Sequence, residues 1–167
     1  MEPVTDSDIR SSFVNATKGE MKRIVLPRDL SETRWEDIDF LGWVDPTYAG
    51  RSYVVTPVVT DEGDDGLVGV ALRYETGGSR KAQMCKICLT THPSGGVSLM
   101  TARKAGEAGR KGNTVGTYIC TDLDCSLYAR GKKTPALGKQ YREDLDVESK
   151  IDRVRQNLAA FVARVSD

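Results

Sequence analysis

Two short stretches determine the fold of this chain: Met84-Cys85-Lys86-Ile87-Cys88 and Cys120-Thr121-Asp122-Leu123-Asp124-Cys125. The two stretches contain all four cysteines, as two close pairs separated by residues 89–119. Zn²⁺ takes four soft ligands at tetrahedral corners, and a C-x-x-C turn aims two thiolates at one ion. The second pair must then return from a distant part of the chain. The spacing therefore predicts one structural zinc site that clips the intervening loop to its base.

Other interpretations of the cysteines stay open at this point. A redox-active C-x-x-C motif is one, and four unrelated buried cysteines are another. His92, the only histidine, could replace Cys125, whose spacing is the loosest, or could lie beside the site as a loop residue. A catalytic zinc normally keeps an open position and uses histidine or carboxylate ligands, so four available thiolates favour a closed site.

Zinc and four thiolates carry a charge of −2. Lys86 lies within the first pair and Lys81 and Arg80 lie just before it, so we expect them to offset that charge. Zinc binding in small sites contributes roughly 10–16 kcal/mol, more than a typical domain's stability. We therefore predict that residues 80–135 do not fold without the metal.

The net charge of zero conceals a strong asymmetry. Residues 1–79 carry 8 basic and 15 acidic side chains, residues 80–142 carry 12 basic and 3 acidic, and residues 143–167 carry 4 basic and 6 acidic. A basic block of this kind is typical of a surface that meets nucleic acid or an acidic protein. Neutrality of the whole chain is thus no argument against an anionic partner.

The remaining pattern predicts an α+β protein. A capping box at Thr5–Asp8 predicts a helix with a stop or weak point at Lys18-Gly19, although its pattern can continue to Arg23. Residues 35–43 predict a short helix or turn. Residues 52–60 and 67–74 predict a β-hairpin across a polar turn at 61–66, with Pro57 indicating an edge position. Strands are expected at 97–102 and 114–119, joined by a basic, glycine-rich loop at 103–113. A short helix is expected at 122–130, capped by Thr121 or Asp122 and ended by Gly131.

The C-terminal pattern is the clearest of the chain. Apolar residues recur every three or four positions, which predicts an amphipathic helix over 145–165 that covers the core. The members of this stripe are Val147, Ile151, Val154, Leu158, Phe161, Val162 and Val165. We divide the chain into an N-terminal helical segment, 1–48, and an α+β domain, 49–167, that contains the zinc finger.

No catalytic constellation is visible, so we expect a binding protein and not an enzyme, with no small-molecule substrate. One histidine without an accompanying nucleophile motif does not make a catalytic pair. The sequence has no run of about 18 apolar residues and no visible signal peptide. We therefore expect a cytoplasmic location and no membrane association.

Three stretches give the chain a resemblance to a known family: Met84–His92, Gly112–Cys120 and Asp124–Lys132. They resemble the elongation factor G-binding proteins, the FusB-type family associated with fusidic acid resistance, with weaker similarity at residues 11–19 and 39–43. The family fold is a treble-clef zinc finger. The chain resembles a short member, because the better-known members carry a longer N-terminal helical bundle.

The resemblance implies a protein that binds the translational GTPase elongation factor G and promotes its release from the ribosome, where fusidic acid traps it. It implies one structural zinc held by Cys85, Cys88, Cys120 and Cys125. We expect the partner to contact basic and aromatic residues near the finger, namely Arg103, Lys104, Arg110, Lys111, Tyr118, Tyr128, Arg130, Lys132 and Lys133. The alternative is a zinc protein that binds the ribosome or structured RNA through the basic loop 103–113.

Overall fold

The computed structural model describes residues 1–59, 65–77, 81–136 and 143–167. Five of the strands form one antiparallel sheet in the order β1-β2-β3-β6-β7. Their bounds are β1 Leu41–Val44, β2 Arg51–Val59, β3 Asp65–Arg73, β6 Val97–Arg103 and β7 Thr114–Cys120. The two predicted hairpins are therefore present, joined side by side through β3 and β6.

The zinc-finger part surrounds the β6–β7 hairpin. A small second sheet pairs β4, Gln83–Met84, with β5, Thr91–His92, so that the first cysteine pair lies in the turn between them. The helix α3, Gly106–Arg110, lies in the β6–β7 connection, and the helix α4, Cys125–Ala129, follows β7. A knuckle, a hairpin and a ligand-bearing helix start are the parts of a treble clef, which confirms the predicted fold class.

Two apolar clusters cover opposite faces of the sheet. On the inner face, β2, β3, β6 and β7 pack against the C-terminal helix α5, Val147–Ser166. On the outer face, β1 and β2 pack against the N-terminal segment. Within β2, Val54 faces the inner cluster while Tyr53 and Val55 face the outer one. Burial on both faces explains why this strand is apolar at consecutive positions.

Helix α5 confirms the predicted apolar stripe. Six of its seven members are buried, and only Val147 in the first turn stays exposed, at 46%. Each buried side chain of this size contributes about 1.5–3 kcal/mol relative to exposure. The buried members are Ile151, Val154, Leu158, Phe161, Val162 and Val165. The helix covers the sheet and the finger together, because both supply residues to the same cluster.

The first helix ends earlier than either predicted position, Lys18-Gly19 or Arg23. The structure has two short helices, α1 Asp6–Ser12 and α2 Lys18–Arg23. The backbone leaves the helix at Phe13, which bridges to Gly69 of β3, and Thr17 with Glu20 forms a second capping box that starts α2. The Thr17 hydroxyl accepts a hydrogen bond from the Glu20 amide and so starts a new helix. Apolar periodicity alone predicts that the first helix continues through this point.

Three further local predictions need correction. Residues 35–43 form one 3-10 turn, Trp35–Asp37, followed by strand β1, because this stretch finds a pairing partner in β2. The loop 103–113 contains helix α3. The helix after β7 begins at Cys125 and has Asp124 at its N-cap, since Leu123 takes a left-handed backbone that interrupts a helix at 122. Gly131 ends it with φ +68°, as predicted.

Pro57 does not lie in an edge strand, because β2 has neighbours on both sides. It does lie beyond residues 52–55, the part of β2 that pairs with β1, so its missing N–H breaks no ladder bond on that side. Most of the predicted turn at 61–66 lies outside the described residues, and so does Arg80.

The division at residue 48 stays a prediction, although β1 from the first segment belongs to the same sheet as β2. None of the helices in the described ranges combines the length and apolar character that crossing a bilayer requires.

Candidate metal centre

The four cysteine sulfurs converge on one point in the interior. All four Sγ atoms lie within 4.8 Å of one another, and all four residues are buried. The Sγ–Sγ distances are 3.7 Å for Cys85 and Cys125 and 3.6 Å for Cys88 and Cys120. Four sulfurs at about 2.3 Å from a central Zn²⁺ stand about 3.8 Å apart in a tetrahedron. The residues therefore fit one zinc ion, held with two ligands from each pair.

The backbone around the first pair forms a metal-binding knuckle. The amides of Ile87 and Cys88 donate to Cys85 Sγ at 3.3 and 3.5 Å. Leu89, directly after the first pair, and Leu123, within the second, both take left-handed φ values near +60°. Such strained positions are uncommon outside glycine and persist where the surrounding structure demands them. Here each one turns the chain so that two thiols face the same point.

The electrostatics of the cluster suit a bound cation. Hydrogen bonds from the other three thiols lower the pKa of Cys85, whereas burial raises the pKa of Cys125. Burial without a counter-charge makes deprotonation of the four thiols unfavourable. A bound divalent ion offsets the energetic cost of the buried thiolate charges. Zinc in this site would be closed to water and substrate, because four protein sulfurs fill its coordination shell.

His92 lies beside the site and does not replace Cys125. Its Nε2 is 3.3 Å from Cys120 Sγ, and its ring packs edge-on against Tyr128 at 4.6 Å. Burial lowers the pKa of His92, which favours the neutral imidazole. The imidazole is thus placed to orient one ligand sulfur through a hydrogen bond, the supporting role that neighbours of metal ligands commonly play.

Helix α5 holds the first knuckle from outside. Arg153 Nη2 donates to the carbonyl of Cys88 at 3.1 Å, and Asn157 Nδ2 donates to the carbonyl of Ile87 at 3.0 Å. Glu143 binds the guanidinium of Arg153 through both of its carboxylate oxygens. Periodicity could not find these contacts, because they come from the polar edge of an otherwise core-covering helix.

The N-terminal segment is tied to the finger by a buried carboxylate. Asp39, whose side chain is 1% exposed, accepts from Arg130 at 2.5 and 3.1 Å and from Arg155 Nε at 2.9 Å. Its backbone amide also donates to Ser126 Oγ at 3.0 Å in helix α4. The finger, helix α5 and the segment before β1 therefore meet at one side chain.

Of the nine residues expected to contact a partner, the four that lie in or directly after helix α4 are engaged within the chain. Arg130 binds Asp39 as above, and Lys132 binds Asp37. Lys133 bridges Asp122 and Asp124 at 2.9 and 2.6 Å, while the Tyr128 hydroxyl donates to Asp122 at 2.7 Å. These contacts hold the finger together, and partner contact by the four residues stays a prediction.

The other five expected residues surround the β6–β7 hairpin. Tyr118 is 38% exposed, and Leu99, which the sequence analysis missed, lies directly opposite it and is 49% exposed. Arg103, Lys104, Arg110 and Lys111 cluster at the far end of the same hairpin. Alternation along the strand at 97–103 would have indicated Leu99, since Ser98 and Met100 on either side face the core.

Comparison with known proteins agrees with this geometry. The chain resembles a solved structure of the fusidic acid resistance protein FusC, with a TM-score of 0.53 and 16% sequence identity. The match covers 90% of this chain and 59% of that one, so the chain spans about three fifths of the solved protein. No curated protein sequence matches significantly.

The sequence model of the family described as "FBP C-terminal treble-clef zinc-finger" matches residues 8–165, nearly the whole chain. The cysteine cluster, the β6–β7 hairpin and the helix that begins at Cys125 are the parts of a treble clef. The resemblance drawn from the cysteine motifs is thereby confirmed, and the chain belongs to the FBP C-terminal treble-clef zinc-finger family.

Proposed function

We propose that this chain binds the translational GTPase elongation factor G and promotes its release from the ribosome, which protects against fusidic acid. Membership in the zinc-finger family supports this function, as does the similarity in fold to a fusidic acid resistance protein. The role is one of binding and not of catalysis, because zinc held by four sulfurs leaves no position for a substrate. Since the partner is cytoplasmic, the proposed location is the cytoplasm.

The exposed pair of Leu99 and Tyr118 is the observation that carries the proposal. Both side chains project from the outer face of the β6–β7 hairpin, and they face each other across the two strands. Met84, in the adjacent small sheet, is also 43% exposed. Apolar and aromatic side chains held on a rigid scaffold are the usual anchors of protein interfaces. The metal site fixes the scaffold, because β7 ends at the ligand Cys120.

The positive charge near this pair would guide an acidic partner. Lys104 and Arg110 lie in the connection between β6 and β7, at the end of the hairpin away from the zinc. Charges at the rim of an interface raise the rate of association more than the final affinity. We therefore propose that Leu99 and Tyr118 provide most of the binding affinity, whereas Lys104 and Arg110 increase the rate at which the partner associates.

The ribosome- or RNA-binding alternative depends on free cations in residues 103–113. Arg103 is 3.6 Å from Glu20, and Lys111 is 2.8 Å from Glu107. Half of the loop's four cations therefore already have a carboxylate partner, which reduces their value for phosphate binding. The exposed pair of Leu99 and Tyr118 further favours protein binding. A pull-down with and without nuclease distinguishes protein binding from RNA binding.

A pull-down of purified elongation factor G on the immobilised, zinc-loaded chain tests the proposal, with and without nuclease, at low and high salt. We expect nuclease-resistant retention that declines only moderately with salt, since the contact is largely apolar. Binding to RNA would instead fall steeply, because each neutralised phosphate releases a counterion. Failure to retain the factor under every condition would refute the proposal.

A matched pair of variants tests the assigned surface. Leu99→Ser with Tyr118→Ser should weaken binding at least about tenfold, as loss of central anchors does. Val147→Ser is the control, because Val147 is exposed to a similar degree but lies at the start of α5, outside the proposed surface. Equal affinity of the two variants would show that the partner contacts another face.

A further inference from the structure

A pair of arginines lies side by side on the outer face of the large sheet. Arg51 of β2 stands directly opposite Arg73 of β3, and Arg73 in turn stands opposite Thr101 of β6. Both arginines belong to residues 1–79, the acidic part of the chain. Strand pairing nevertheless brings them next to the basic strand β6, which charge counts along the sequence could not reveal.

This arrangement is unfavourable in the isolated protein. Like charges directly opposite each other destabilise a sheet. Within the described ranges neither arginine forms an ion pair. The nearby carboxylate of Asp45 is buried and accepts hydrogen bonds from Thr47, Tyr48 and Tyr53. The Arg51 guanidinium lies over the Tyr48 ring at 4.6 Å, which holds it in place without neutralising it.

The two arginines line a cleft where the sheet emerges from beneath the N-terminal helices. One part of it, about 540 Å³, also contains Arg23 and Arg103, with Glu20 as its acidic side chain beside Asp45. An adjoining part, about 770 Å³, continues over Leu99 and Tyr118. Arg51 and Arg73 line both parts, so the cleft runs from a cationic end to an apolar end.

The character of the two ends distinguishes between classes of partner. A nucleic acid needs positive charge along the whole groove that its backbone follows. Among the described residues that line it, the apolar part of this cleft has no cation besides the shared arginines, and it contains Glu75. A protein segment with one or more carboxylates beside apolar side chains matches both ends. Arginine also suits carboxylates, since its planar fork binds them in a bidentate manner.

We propose that this cleft binds an acidic segment of a protein partner, with Arg51 and Arg73 receiving its carboxylates while Leu99 and Tyr118 contact its apolar side chains. Identification of that partner as elongation factor G rests on the proposed function. A bound carboxylate would relieve the electrostatic repulsion between the two arginines. This relief would add to the free energy of association.

Titration calorimetry with elongation factor G tests the proposal on the zinc-loaded full chain. The test variant is Arg51→Gln with Arg73→Gln, and the control is Arg28→Gln with Arg164→Gln, which removes the same charge outside the cleft. We expect about a tenfold or greater loss of affinity in the test variant and less than a twofold loss in the control. If the double variant does not fold, Arg73→Gln alone should still lose several-fold.

Equal binding by the test variant and the control would overturn the cleft proposal while leaving the proposed function intact. If the wild-type chain does not bind the factor, the proposed function fails. Binding of a fluorescent octaglutamate peptide at low salt then tests separately whether the cleft accepts an acidic segment. Peptide binding that needs both arginines supports the cleft, and absence of binding overturns it. Tighter, arginine-dependent binding of an octauridylate RNA would overturn the choice of a protein partner.

Discussion

Asp39 offers the strongest test of how the finger is attached to the rest of the protein. Its side chain is 1% exposed and receives two hydrogen bonds from Arg130, whose own side chain is 11% exposed. The second arginine, Arg155, is 58% exposed and can turn to solvent. Replacement of Asp39 by Asn keeps the shape of the side chain, but it leaves the buried Arg130 charge without its hydrogen-bonded counterion.

The size of the effect follows from these exposures. Removing one partner of a buried ion pair costs about 3–5 kcal/mol. The exposed Arg155 pair adds at most about 1 kcal/mol, as surface pairs do. Because Arg130 retains a little solvent contact, we expect the lower figure, about 3 kcal/mol. With a urea dependence of about 2 kcal/mol per molar, the unfolding midpoint should fall by about 1.5 M.

The assay is urea unfolding of the zinc-loaded protein, followed by circular dichroism and tryptophan fluorescence. Asp37→Asn is the matched control, because Asp37 is an adjacent carboxylate whose partners Lys132 and Arg34 are 43% and 69% exposed. Adding Arg130→Met to the Asp39→Asn variant should restore part of the stability by removing the unpaired charge. A midpoint shift for Asp39→Asn no larger than that for Asp37→Asn would show that Asp39 does not stabilise the fold through a buried ion pair with Arg130.

The remaining predictions concern the metal and its supports. Excess zinc chelator should abolish the cooperative unfolding transition of the finger, and a chelated protein that keeps its native amide-exchange protection at residues 85–125 would contradict this. His92→Phe retains the ring but loses the hydrogen bond to Cys120, so competition with a chromogenic chelator should show zinc affinity about 10–100-fold lower; unchanged affinity would argue against this contact. Hydrogen bonds from Arg153 lower the pKa of Glu143, so the stability this pair provides is present at neutral pH and is lost as the pH falls through that lowered pKa. The stability difference between wild type and Glu143→Gln should therefore be constant from about pH 8 to 5 and shrink below about pH 4; a difference that persists in acid would exclude the ion pair as its source.

The sequence was sufficient to predict the metal centre because its determinants are local. Two thiols in each short stretch have few arrangements open to them, and one ion satisfies both stretches. The C-terminal helix was equally predictable, since a stripe over five turns has no counterpart in a strand. Both predictions depend on spacing along the chain and not on which strands pair.

The parts that could not be predicted depend on long-range pairing. Residues 35–43 carry large apolar side chains without a clear period, and only the neighbouring strand β2 makes part of them a strand. The opposition of Arg51 and Arg73 depends on the register of one hairpin, which no local pattern specifies. The Asp39–Arg130 contact joins residues 91 positions apart, and a charged pair of that separation leaves no signal in a single sequence.

One zinc ion, bound by four thiolates, organises this protein. Zinc X-ray absorption on the purified chain measures the ligand shell directly. We expect one zinc per chain with four sulfurs at about 2.3 Å and no nitrogen or oxygen neighbour. A shell of three sulfurs and one nitrogen, which would place His92 on the metal, or a metal content far below one, would contradict it.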